Sequence, residues 1–553
     1  MTNKIRTGIF IDSDKIPAWM YQMLTEIYNS DYADLKLIIQ NDSQKSKSGI
    51  LKKLFNKNDL FYSIFLYIER KLFRLKEDAF ELKSINDFNK VSIIKIIHSQ
   101  NNNYIHSFND TLDEVKKYDL DVLLKLGSAV LKGDILKIPK YGVWTYQHNN
   151  IQLNQGVFPG FWEVMRKCPE TSSSLNMLSK KDEIGKILFS SSGMTDPHSV
   201  IRNMNTYYWK SARFIPRKLK ELFLLGEDYF FRNIFKSNQH PSIYSNKPLK
   251  IPNNVEMLFL IGRHLLRYLK EKFNEFLYFE QWQLQYAINR ENKPPESFIH
   301  FNKIIPPKDR FWADPDFIKK ESKYYIFFEE LIYAKKKAHI SMIEMDGNGN
   351  LSAPKIILRK DYHLSFPFVF QTDNRYYLIP ETSGNKTIEL YKCVDFPGEW
   401  SLQSILMNDV IAADSNIFFH NGKWWLFTNI KENEGISLYD ELFLFFSNDF
   451  QSNKWTPHPQ NPIISDVKSA RPAGHIFRYN NNLYRPSQNS LGRYGYGMKI
   501  NQIITLNENE YEEKVIDQIK PNWGKNYLGT HTLNYKEDLT MIDVLVKRRR
   551  FFN

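Results

Sequence analysis

Four segments in the C-terminal half of the chain share one pattern of apolar and polar positions. Each runs from a turn into an apolar strand, crosses a polar turn and ends in a second, aromatic strand. The second strands start at Tyr324, Tyr376, Trp424 and Leu483, at intervals of 52, 48 and 59 residues. A period near fifty residues is typical of β-propeller blades, because one small sheet cannot bury both faces alone. With a weaker copy at residues 529–544, the pattern predicts five blades.

The first half of the chain alternates between strand and helix patterns instead. Apolar runs predict strands at residues 5–11, 35–39, 91–97 and 121–126, and helical spacing is present at 18–28, 58–75 and 112–117. This alternation predicts an α/β domain with a mostly parallel sheet. No Gly-x-Gly-x-x-Gly follows the first strand, so the dinucleotide-binding fingerprint is absent. We expect the lysine-rich residues 44–57 to be an exposed insertion.

The boundary between the two patterns is marked by a change in composition. Residues 236–254 have the composition of a linker, and residues 255–276 have helical spacing with apolar positions at Leu258, Ile261, Leu265 and Leu269. An alternating strand begins near residue 280. We therefore predict an α/β domain over residues 1–235, a linker with a connecting helix over 236–279, and a five-bladed propeller over 280–553.

The charge balance is basic: 75 Lys and Arg against 62 Asp and Glu give a net charge of +13. This excess suits phosphates, acidic glycans or an anionic membrane surface. Its dense runs are residues 335–337 and 547–550, which we expect to be solvated. Since no zinc-ligand spacing or recognition motif accompanies them, we do not expect nucleic-acid binding.

Targeting and redox signals are sparse. Two cysteines cannot make a disulfide framework, and residues 255–269 contain Arg263, His264 and Arg267, which argues against a membrane span. No signal-peptide pattern precedes the first strand. We expect a cytoplasmic protein that can make peripheral contact with a membrane.

Residues 121–148 run from a strand through Gly127 and a helix reaching Pro139 to Gly142-Val143 and a polar loop. This order resembles the N-terminal domain of the formyltransferases, a family that includes methionyl-tRNA and sugar N-formyltransferases. The resemblance covers roughly the first 200 residues and implies a Rossmann-like α/β fold and formyl-tetrahydrofolate as cofactor.

In the formyltransferases, a loop Asn and His together with a downstream Asp hold the oxyanion and handle the proton. Here the Asn-x-His pair falls on Thr145 and Gln147, His148 stands one place late, and the acid would be Asp182 or Glu183. A glutamine cannot act as a base. The resemblance therefore implies a remnant site at Gln147, His148 and Glu183, and favours loss of formyl transfer.

The C-terminal half carries a second resemblance. The run from Arg310 to Pro315 resembles the five-bladed furanosidase-like propellers of arabinanases, xylosidases and related glycosidases. The whole region resembles more closely the N-terminal domain of the plant glucosamine inositolphosphorylceramide transferases and their bacterial relatives, which carry a formyltransferase-like domain ahead of the propeller. The stretches that carry this similarity are residues 362–368, 379–381, 395–400, 422–427, 470–474 and 483–488.

Equivalent positions of a propeller repeat converge on the axis, because the innermost strand of each blade starts there. Asp314 and Asp414 each stand ten residues before the aromatic strand of their blade, Phe366 has the same offset, and Arg471 stands twelve before Leu483. We predict that Asp314, Asp414 and Arg471 line the axis. The expected substrate-binding residues are His363, Glu381, Arg485, Gln488 and His531.

The resemblance to the glycosidases implies that Asp314 is a general base and that Asp414 orients the acid. That family's acid is a Glu on the fourth blade, where this chain has Arg471, and an arginine with a pKa above about 12 cannot donate a proton at neutral pH. It can hold a phosphate through paired hydrogen bonds. The substitution favours transfer from a sugar with a phosphate-bearing donor, or binding of an anionic glycan.

Three functions follow from these residues. The leading hypothesis is glycosyl transfer in surface-polysaccharide or glycolipid assembly, with Asp314, Asp414 and Arg471 as catalytic residues. The second is sugar N-formylation with formyl-tetrahydrofolate, and the third is a non-catalytic glycan-binding scaffold or glycoside hydrolase-like protein. No local ligand spacing demands a metal.

Overall fold

The computed structural model describes residues 4–41, 59–73, 75–96, 104–105, 109–131, 133–148, 154–155, 158–178, 185–239, 249–289, 294–295, 297–433, 435–536 and 538–551. The chain divides into two compact units. Unit one comprises Met1–Ser191, Thr195–Leu266 and Asn433–Ile436. Unit two comprises Ser192–Met194, Arg267–Glu432 and Ser437–Asn553.

Unit one is built on a seven-stranded sheet. Its strands, with the short ones beside it, are β1 (Ile5–Ile11), β2 (Lys15–Pro17), β3 (Ala33–Asn41), β4 (Leu82–Ser84), β5 (Ser92–Ile96), β6 (Tyr104–Ile105), β7 (Val122–Lys125), β8 (Val130–Leu131), β9 (Val143–His148), β10 (Asn154–Gln155), β11 (Glu170–Met177), β12 (Lys186–Met194) and β13 (Leu249–Lys250). The sheet order is β12-β11-β9-β7-β1-β3-β5.

Strand β1 is near the centre of this sheet. From it the chain adds β3 and β5 on one side, and then β7, β9, β11 and β12 on the other. Strand β1 pairs in parallel with both β3 and β7, β3 with β5, and β7 with β9, whereas β11 is antiparallel to β9. Parallel strands need apolar residues on both faces, and β1 is buried along almost its whole length. The predicted α/β domain with a mostly parallel sheet is confirmed. The predicted insertion at residues 44–57 lies outside the described residues.

The helices are α1 (Ala18–Tyr28), α2 (Leu60–Leu72), α3 (Asn109–Lys116), α4 (Phe161–Arg166), α5 (Val200–Ser211), α6 (Phe214–Ser237) and α7 (Asn254–Leu277). Helix α6 kinks at Gly226, whose φ of 78° interrupts the helical backbone. The predicted connecting helix matches α7, but only Met257 and Leu260 of α7 are buried. Within the described residues, every helix is too short or too polar to cross a lipid bilayer.

Unit two is all β beyond α7. Its strands are β14 (Tyr278–Ile288), β15 (Asn302–Ile304), β16 (Arg310–Lys320), β17 (Lys323–Ile332), β18 (Lys337–Met345), β19 (Lys355–Leu358), β20 (Ser365–Thr372), β21 (Arg375–Glu381), β22 (Thr387–Asp395), β23 (Glu399–Asn408), β24 (Ala412–His420), β25 (Lys423–Ile430), β26 (Glu441–Ser447), β27 (Thr456–Pro457), β28 (Ile464–Ser465), β29 (Phe477–Tyr479), β30 (Asn482–Asn489), β31 (Gly497–Leu506), β32 (Tyr511–Ile519), β33 (Tyr527–Gly529), β34 (Leu533–Lys536) and β35 (Leu539–Arg549).

These strands form five antiparallel sheets, which are the blades of a five-bladed propeller. Blade one is β16 to β19, blade two β20 to β23, blade three β24 to β27 with β28 on β26, and blade four β29 to β32. Blade five has the order β15-β14-β35-β33, with β34 also paired to β35. The five-bladed propeller expected from the repeat is confirmed.

Blade five joins the two ends of the propeller sequence. Strand β14 pairs antiparallel with β35 without a break, from Tyr278 opposite Arg549 to Ile288 opposite Leu539. The strand that opens the propeller sequence is thereby hydrogen-bonded to the strand that closes it. Sequence patterns predicted both strands but gave no sign of their pairing, which depends on contacts more than 250 residues apart.

The first three blades share one irregularity in their innermost strands. Asp314, Phe366 and Asp414 all have positive φ, at 51°, 43° and 50°, and the pairing register shifts beside each of them. Such a bulge bends the strand and re-aims its side chains. The equal offsets found in the sequence therefore correspond to one backbone feature repeated in three blades.

Blades four and five approach each other closely at Gly474. Its φ is 134°, and a Cβ atom there would lie 2.1 Å from the carbonyl oxygen of Leu533. The adjacent Leu533 N–H donates to the carbonyl of Ala473 at 2.7 Å. Only a glycine fits this contact, because any side chain would push the two inner strands apart.

We predict that Gly474→Ala lowers the free energy of unfolding of the propeller by about 3 kcal/mol or more, since it adds both backbone strain and a clash. The matched control is Gly422→Ala, also at positive φ but with no atom within 4 Å of the added Cβ. The control substitution should lower the free energy of unfolding by about 1 kcal/mol. Calorimetric unfolding of both variants measures the difference, and equal losses would contradict the proposed contact.

Candidate functional site

Seven polar side chains, one or two from each blade, make up the axial cluster. They are Asp314 of blade one, Glu381 of blade two, Asp414 of blade three, Arg471 and Gln488 of blade four, and His531 and Asp543 of blade five. Six of them are buried, and the side chain of Glu381 is 10% exposed. The structure therefore brings together Asp314, Asp414 and Arg471, which the sequence predicted to line the axis.

Arg471 is the fixed cation of the axial cluster. Its Nε and Nη2 donate to the two oxygens of Asp414, at 2.5 and 3.1 Å, and Nη2 also donates to Glu381 Oε2 at 3.3 Å. The guanidinium lies about equally near the rings of Tyr439 and Tyr494, at 5.2 and 5.1 Å from their centroids. Two carboxyl groups and two aromatic rings thus hold one arginine, which restricts its motion.

Glu381 is a carboxyl group that retains its proton unusually well. Burial raises its pKa above the usual value, the neighbouring charge of Asp414 raises it further, and Arg471 opposes both effects. Ser383 donates its hydroxyl to Oε1 at 2.7 Å. Burial and a like charge are the two conditions that keep a carboxylic acid protonated near neutral pH. Glu381 was predicted to line the substrate site, and its surroundings are those of a proton donor.

Asp314 is held by blades two and five. Its Oδ1 accepts from the hydroxyl of Thr532 at 2.7 Å, and its Oδ2 accepts from the N–H of Phe366 at 3.3 Å. Burial raises the pKa of Asp314 above its usual range, and the nearby charge of His531 partly counters that rise. A carboxylate with a raised pKa is a stronger base than an ordinary aspartate.

His531 and Asp543 form an ion pair beside Asp314. His531 Nδ1 lies 2.6 Å from Asp543 Oδ2, and His531 Nε2 lies 3.4 Å from Asp314 Oδ1. Burial alone would lower the pKa of His531, but Asp543 and Asp314 raise it to about 9. Trp282 of β14 stacks on the imidazole at 4.1 Å. His531 is therefore cationic at neutral pH.

Sequence reasoning missed Asp543. The signal was present, because this residue is a single carboxylate within the apolar run of β35, and it is fully buried. A charge inside such a strand is costly unless a partner neutralises it. That cost could have indicated a partner such as His531.

His363 lies at the more exposed edge of this region. Its side chain is 43% exposed, and Nε2 is 3.1 Å from Glu329 Oε1. Burial lowers the pKa of His363, but Glu329, Glu381 and Asp314 together raise it above the usual value. The carboxyl groups of blades one and two therefore act electrostatically on the residue that the sequence predicted to bind substrate.

Arg485 lies away from the axial cluster. It is fully buried and makes a two-pronged ion pair with Glu513 of β32, at 2.8 and 2.7 Å. Its Nη2 also donates to the carbonyl of Ser469. Gln488, three residues along the same strand, instead donates to Asp414 Oδ2 at 2.8 Å. Both residues were predicted to bind substrate, and of the two only Gln488 belongs to the axial cluster.

A second polar layer lies along the inner strands and was not predicted. Asp316 Oδ2 accepts from the N–H of Val369 at 2.8 Å and from His475 Nε2 at 2.6 Å, while Oδ1 accepts from Lys536 at 2.6 Å. Burial opposes ionisation of Asp316, but His475 and Lys536 lower its pKa to about 2. This layer ties blades one, two, four and five together.

One group of the described residues has the donor types of a metal site. Asp314, His531 and Asp543 each offer an atom, all within 4.8 Å of one another. A metal would require His531 to lose its proton, and the pKa of about 9 opposes that loss. The protonated imidazole already supplies the positive charge that the two carboxylates need.

The predicted remnant formyltransferase site is only partly described. Gln147 lies in β9, and its Oε1 accepts from Asn176 Nδ2 of β11. His148 ends β9, and its side chain falls outside the described part of the chain, as do Asp182 and Glu183. The loss of formyl transfer therefore stays a prediction from the sequence, with sugar N-formylation as its alternative.

Residues 304–534 match the family model described as glucosamine inositolphosphorylceramide transferase 1, N-terminal. The propeller resembles these transferases. The protein of that name from Oryza sativa subsp. japonica is 34% identical over 206 residues, which are 37% of this chain and 27% of that protein. The Arabidopsis thaliana protein is 31% identical over the same shares. The chain thus spans about a quarter of the length of these relatives.

Solved structures with some likeness include two sugar-acting proteins. Zg3597, a family 117 glycoside hydrolase of Zobellia galactanivorans, is 11% identical over 48% of this chain and 90% of its own, with a TM-score of 0.32. An exo-1,5-α-L-arabinanase from a bovine ruminal metagenomic library is 16% identical over 44% and 94%, with a TM-score of 0.31. The fold assignment rests on the strand pairing described above.

We predict that Arg471→Met destabilises the propeller by about 3 kcal/mol, because it leaves the buried carboxylate of Asp414 without its cation. Adding Asp414→Asn should restore part of the loss, since asparagine tolerates the positive φ at that position. Arg478→Met, at an exposed arginine of blade four, is the control and should change little. Calorimetric unfolding measures these variants and Asp414→Asn alone, and full additivity of the two single losses in the double variant would contradict the pairing.

His531 predicts a pH dependence of stability. Its pKa is raised in the folded state, so its stabilising contribution is complete below the unfolded pKa of about 6.5 and is lost as the pH rises to about 9. The loss should amount to ~3 kcal/mol at most. Unfolding measured between pH 6.5 and 9 should show a slope that His531→Gln removes and that His300→Gln, at an exposed histidine, leaves unchanged.

Proposed function

We propose that the propeller is a carbohydrate-active enzyme that transfers a glycosyl group at its axis. The observation that carries this proposal is the pair of buried carboxyl groups, Asp314 and Glu381, whose pKa values are both raised, beside the fixed cation Arg471. Strongly perturbed titratable groups that share one buried site are typical of acid and base catalysis. Ion pairs that only stabilise the fold would not require two carboxyl groups whose pKa values are both raised.

In this proposal Asp314 is the general base. An acceptor hydroxyl attacks the anomeric carbon of the donor sugar, its O–H proton passes to Asp314, and the bond from the anomeric carbon to the leaving group breaks. The raised pKa of Asp314 strengthens it as a proton acceptor. Thr532 and the Phe366 N–H fix both of its oxygens, which orients the carboxylate toward one direction of attack.

Glu381 is the proposed proton donor. It retains a proton that it can give to the departing oxygen, a role that Arg471 cannot fill. Arg471 instead positions the acid, because its Nη2 bonds to Glu381 while Nε and Nη2 hold Asp414. The proton donor that the fourth blade lacks would thus come from the second.

The class of sugar donor follows from the nitrogen atom of Arg471 that the axial carboxyl groups do not use. Its Nη1 has no hydrogen-bond partner among the described residues, so it can donate to an oxygen of a bound ligand. Phosphate and carboxylate oxygens are the acceptors that a guanidinium binds most strongly, and a departing phosphate is already a stable anion. A phosphate-bearing donor therefore remains the more specific proposal, and its leaving group would need no proton from Glu381.

The similar proteins support a role in sugar transfer. The residues that match the transferase family, 304–534, include all of the axial cluster except Asp543. The relatives are named as transferases of glucosamine inositolphosphorylceramide. We propose by extension that this chain acts in the assembly of a glycan or glycolipid.

We predict that Asp314→Asn lowers kcat by about 100-fold or more in any glycosyl transfer that the protein performs. Asp373→Asn is the matched control, because Asp373 has a similar φ of 49° but is exposed in a turn. A panel of nucleotide sugars and aryl glycosides, offered with mixed sugar acceptors, identifies the substrate. An unchanged rate for Asp314→Asn would reject the assigned base.

In the same assay Glu381→Gln separates the two donor classes. With an aryl or alkyl glycoside as donor, the substitution should lower kcat by about 100-fold, because Glu381 no longer supplies a proton. With a nucleotide sugar as donor, kcat should change little. Because the pKa of Glu381 is raised, activity on glycosides should persist to a higher pH than an ordinary carboxyl group allows. Glu399→Gln, at an exposed residue of the same blade, is the control.

A further inference from the structure

Helix α7 presents an unusual run of exposed apolar side chains. In unit two they are Leu269, Phe273 and Phe276, each between 52 and 63% exposed. At roughly 100° per residue, their positions fall within about a third of the helix circumference. The stripe lies apart from Met257 and Leu260, which are the buried residues of the helix. We call this set the α7 stripe.

Charges are arranged around the α7 stripe by sign. Lys270 and Lys272 are exposed and lie next to its two edges by the same helical geometry. The acidic residues Glu256, Glu271 and Glu275 project from other parts of the circumference, and Glu275 reaches Lys272 Nζ at 2.6 Å in an exposed ion pair. An apolar stripe bordered by lysine on both sides is typical of a helix that lies flat in a membrane interface.

The basic run at the end of β35 lies beside the C-terminal end of α7. Arg550 Nε donates to the carbonyls of Glu275 and Tyr278, at 3.0 and 3.2 Å. The ring of Phe551 contacts Phe276 at 5.5 Å between centroids. Residues 547–550, which the sequence singled out as a dense basic run, therefore place positive charge next to exposed aromatic side chains.

We propose that the α7 stripe and the adjacent basic run form a docking surface for a bilayer that contains anionic lipids. The apolar side chains would enter the boundary between headgroups and acyl chains, while the lysines and arginines contact the negative headgroups. Charge complementarity favours a membrane over a second copy of the chain, because two such surfaces facing each other would bring like charges together. This surface is independent of the chemistry assigned to the propeller axis.

The test is flotation of the full chain with vesicles of phosphatidylcholine alone or with about 30 mol% phosphatidylserine. The wild-type protein should float with the anionic vesicles and much less with the neutral ones. Phe273→Glu with Phe276→Glu should reduce the bound fraction about tenfold or more. Lys270→Ser with Arg549→Ser should weaken binding to anionic vesicles specifically.

The control places the same two charges on exposed apolar residues elsewhere. Val394→Glu with Ile504→Glu, in blades two and four, should leave flotation unchanged. Sedimentation velocity on the wild type and the Phe273→Glu, Phe276→Glu variant detects the alternative occupant. A dimer that this variant dissociates, together with no flotation of the wild type, would overturn the proposal, as would equal flotation of the variant and wild type.

Discussion

The pairing of β14 with β35 is the constraint on which the propeller depends. It hydrogen-bonds the strand that opens the propeller sequence to the strand that closes it, along the full length of both. Blade five then contributes His531, Asp543 and Thr532 to the axis, and β14 adds Trp282 on the face of the imidazole. Without this pairing Asp314 would lose the partners of one oxygen and the cation beside it. The site is thus a consequence of ring closure.

Buried polar side chains in turn link the inner strands of neighbouring blades. Asp316 accepts from Val369 of blade two, Asn416 donates to the Gly474 carbonyl of blade four, and Asn534 donates to the Pro315 carbonyl of blade one. These bonds satisfy polar groups that water cannot reach. The same lack of water raises the pKa of Asp314 and Glu381. Stability and proton affinity therefore have one physical origin.

The sequence predicts the blades and part of the site for a simple reason. Repeat length and strand offset are local properties, so they placed Asp314 and Asp414 correctly on one repeated bulge. Alternation along a strand also explains the separation of Arg485 from Gln488, because residues three apart point to opposite faces. The pKa of Glu381 and the partner of Asp543 depend on burial by distant strands, which no local pattern contains.

Arg471 determines which carboxyl group of the axial cluster can serve as the acid in the proposed mechanism. The charge of Arg471 holds Asp414 of blade three and Glu381 of blade two on one guanidinium. Asp414 accepts two hydrogen bonds from Arg471 and one from Gln488, and burial together with the nearby charge of Asp414 raises the pKa of Glu381. In the proposed mechanism the proton therefore remains on Glu381, so that blade two rather than blade four supplies the acid.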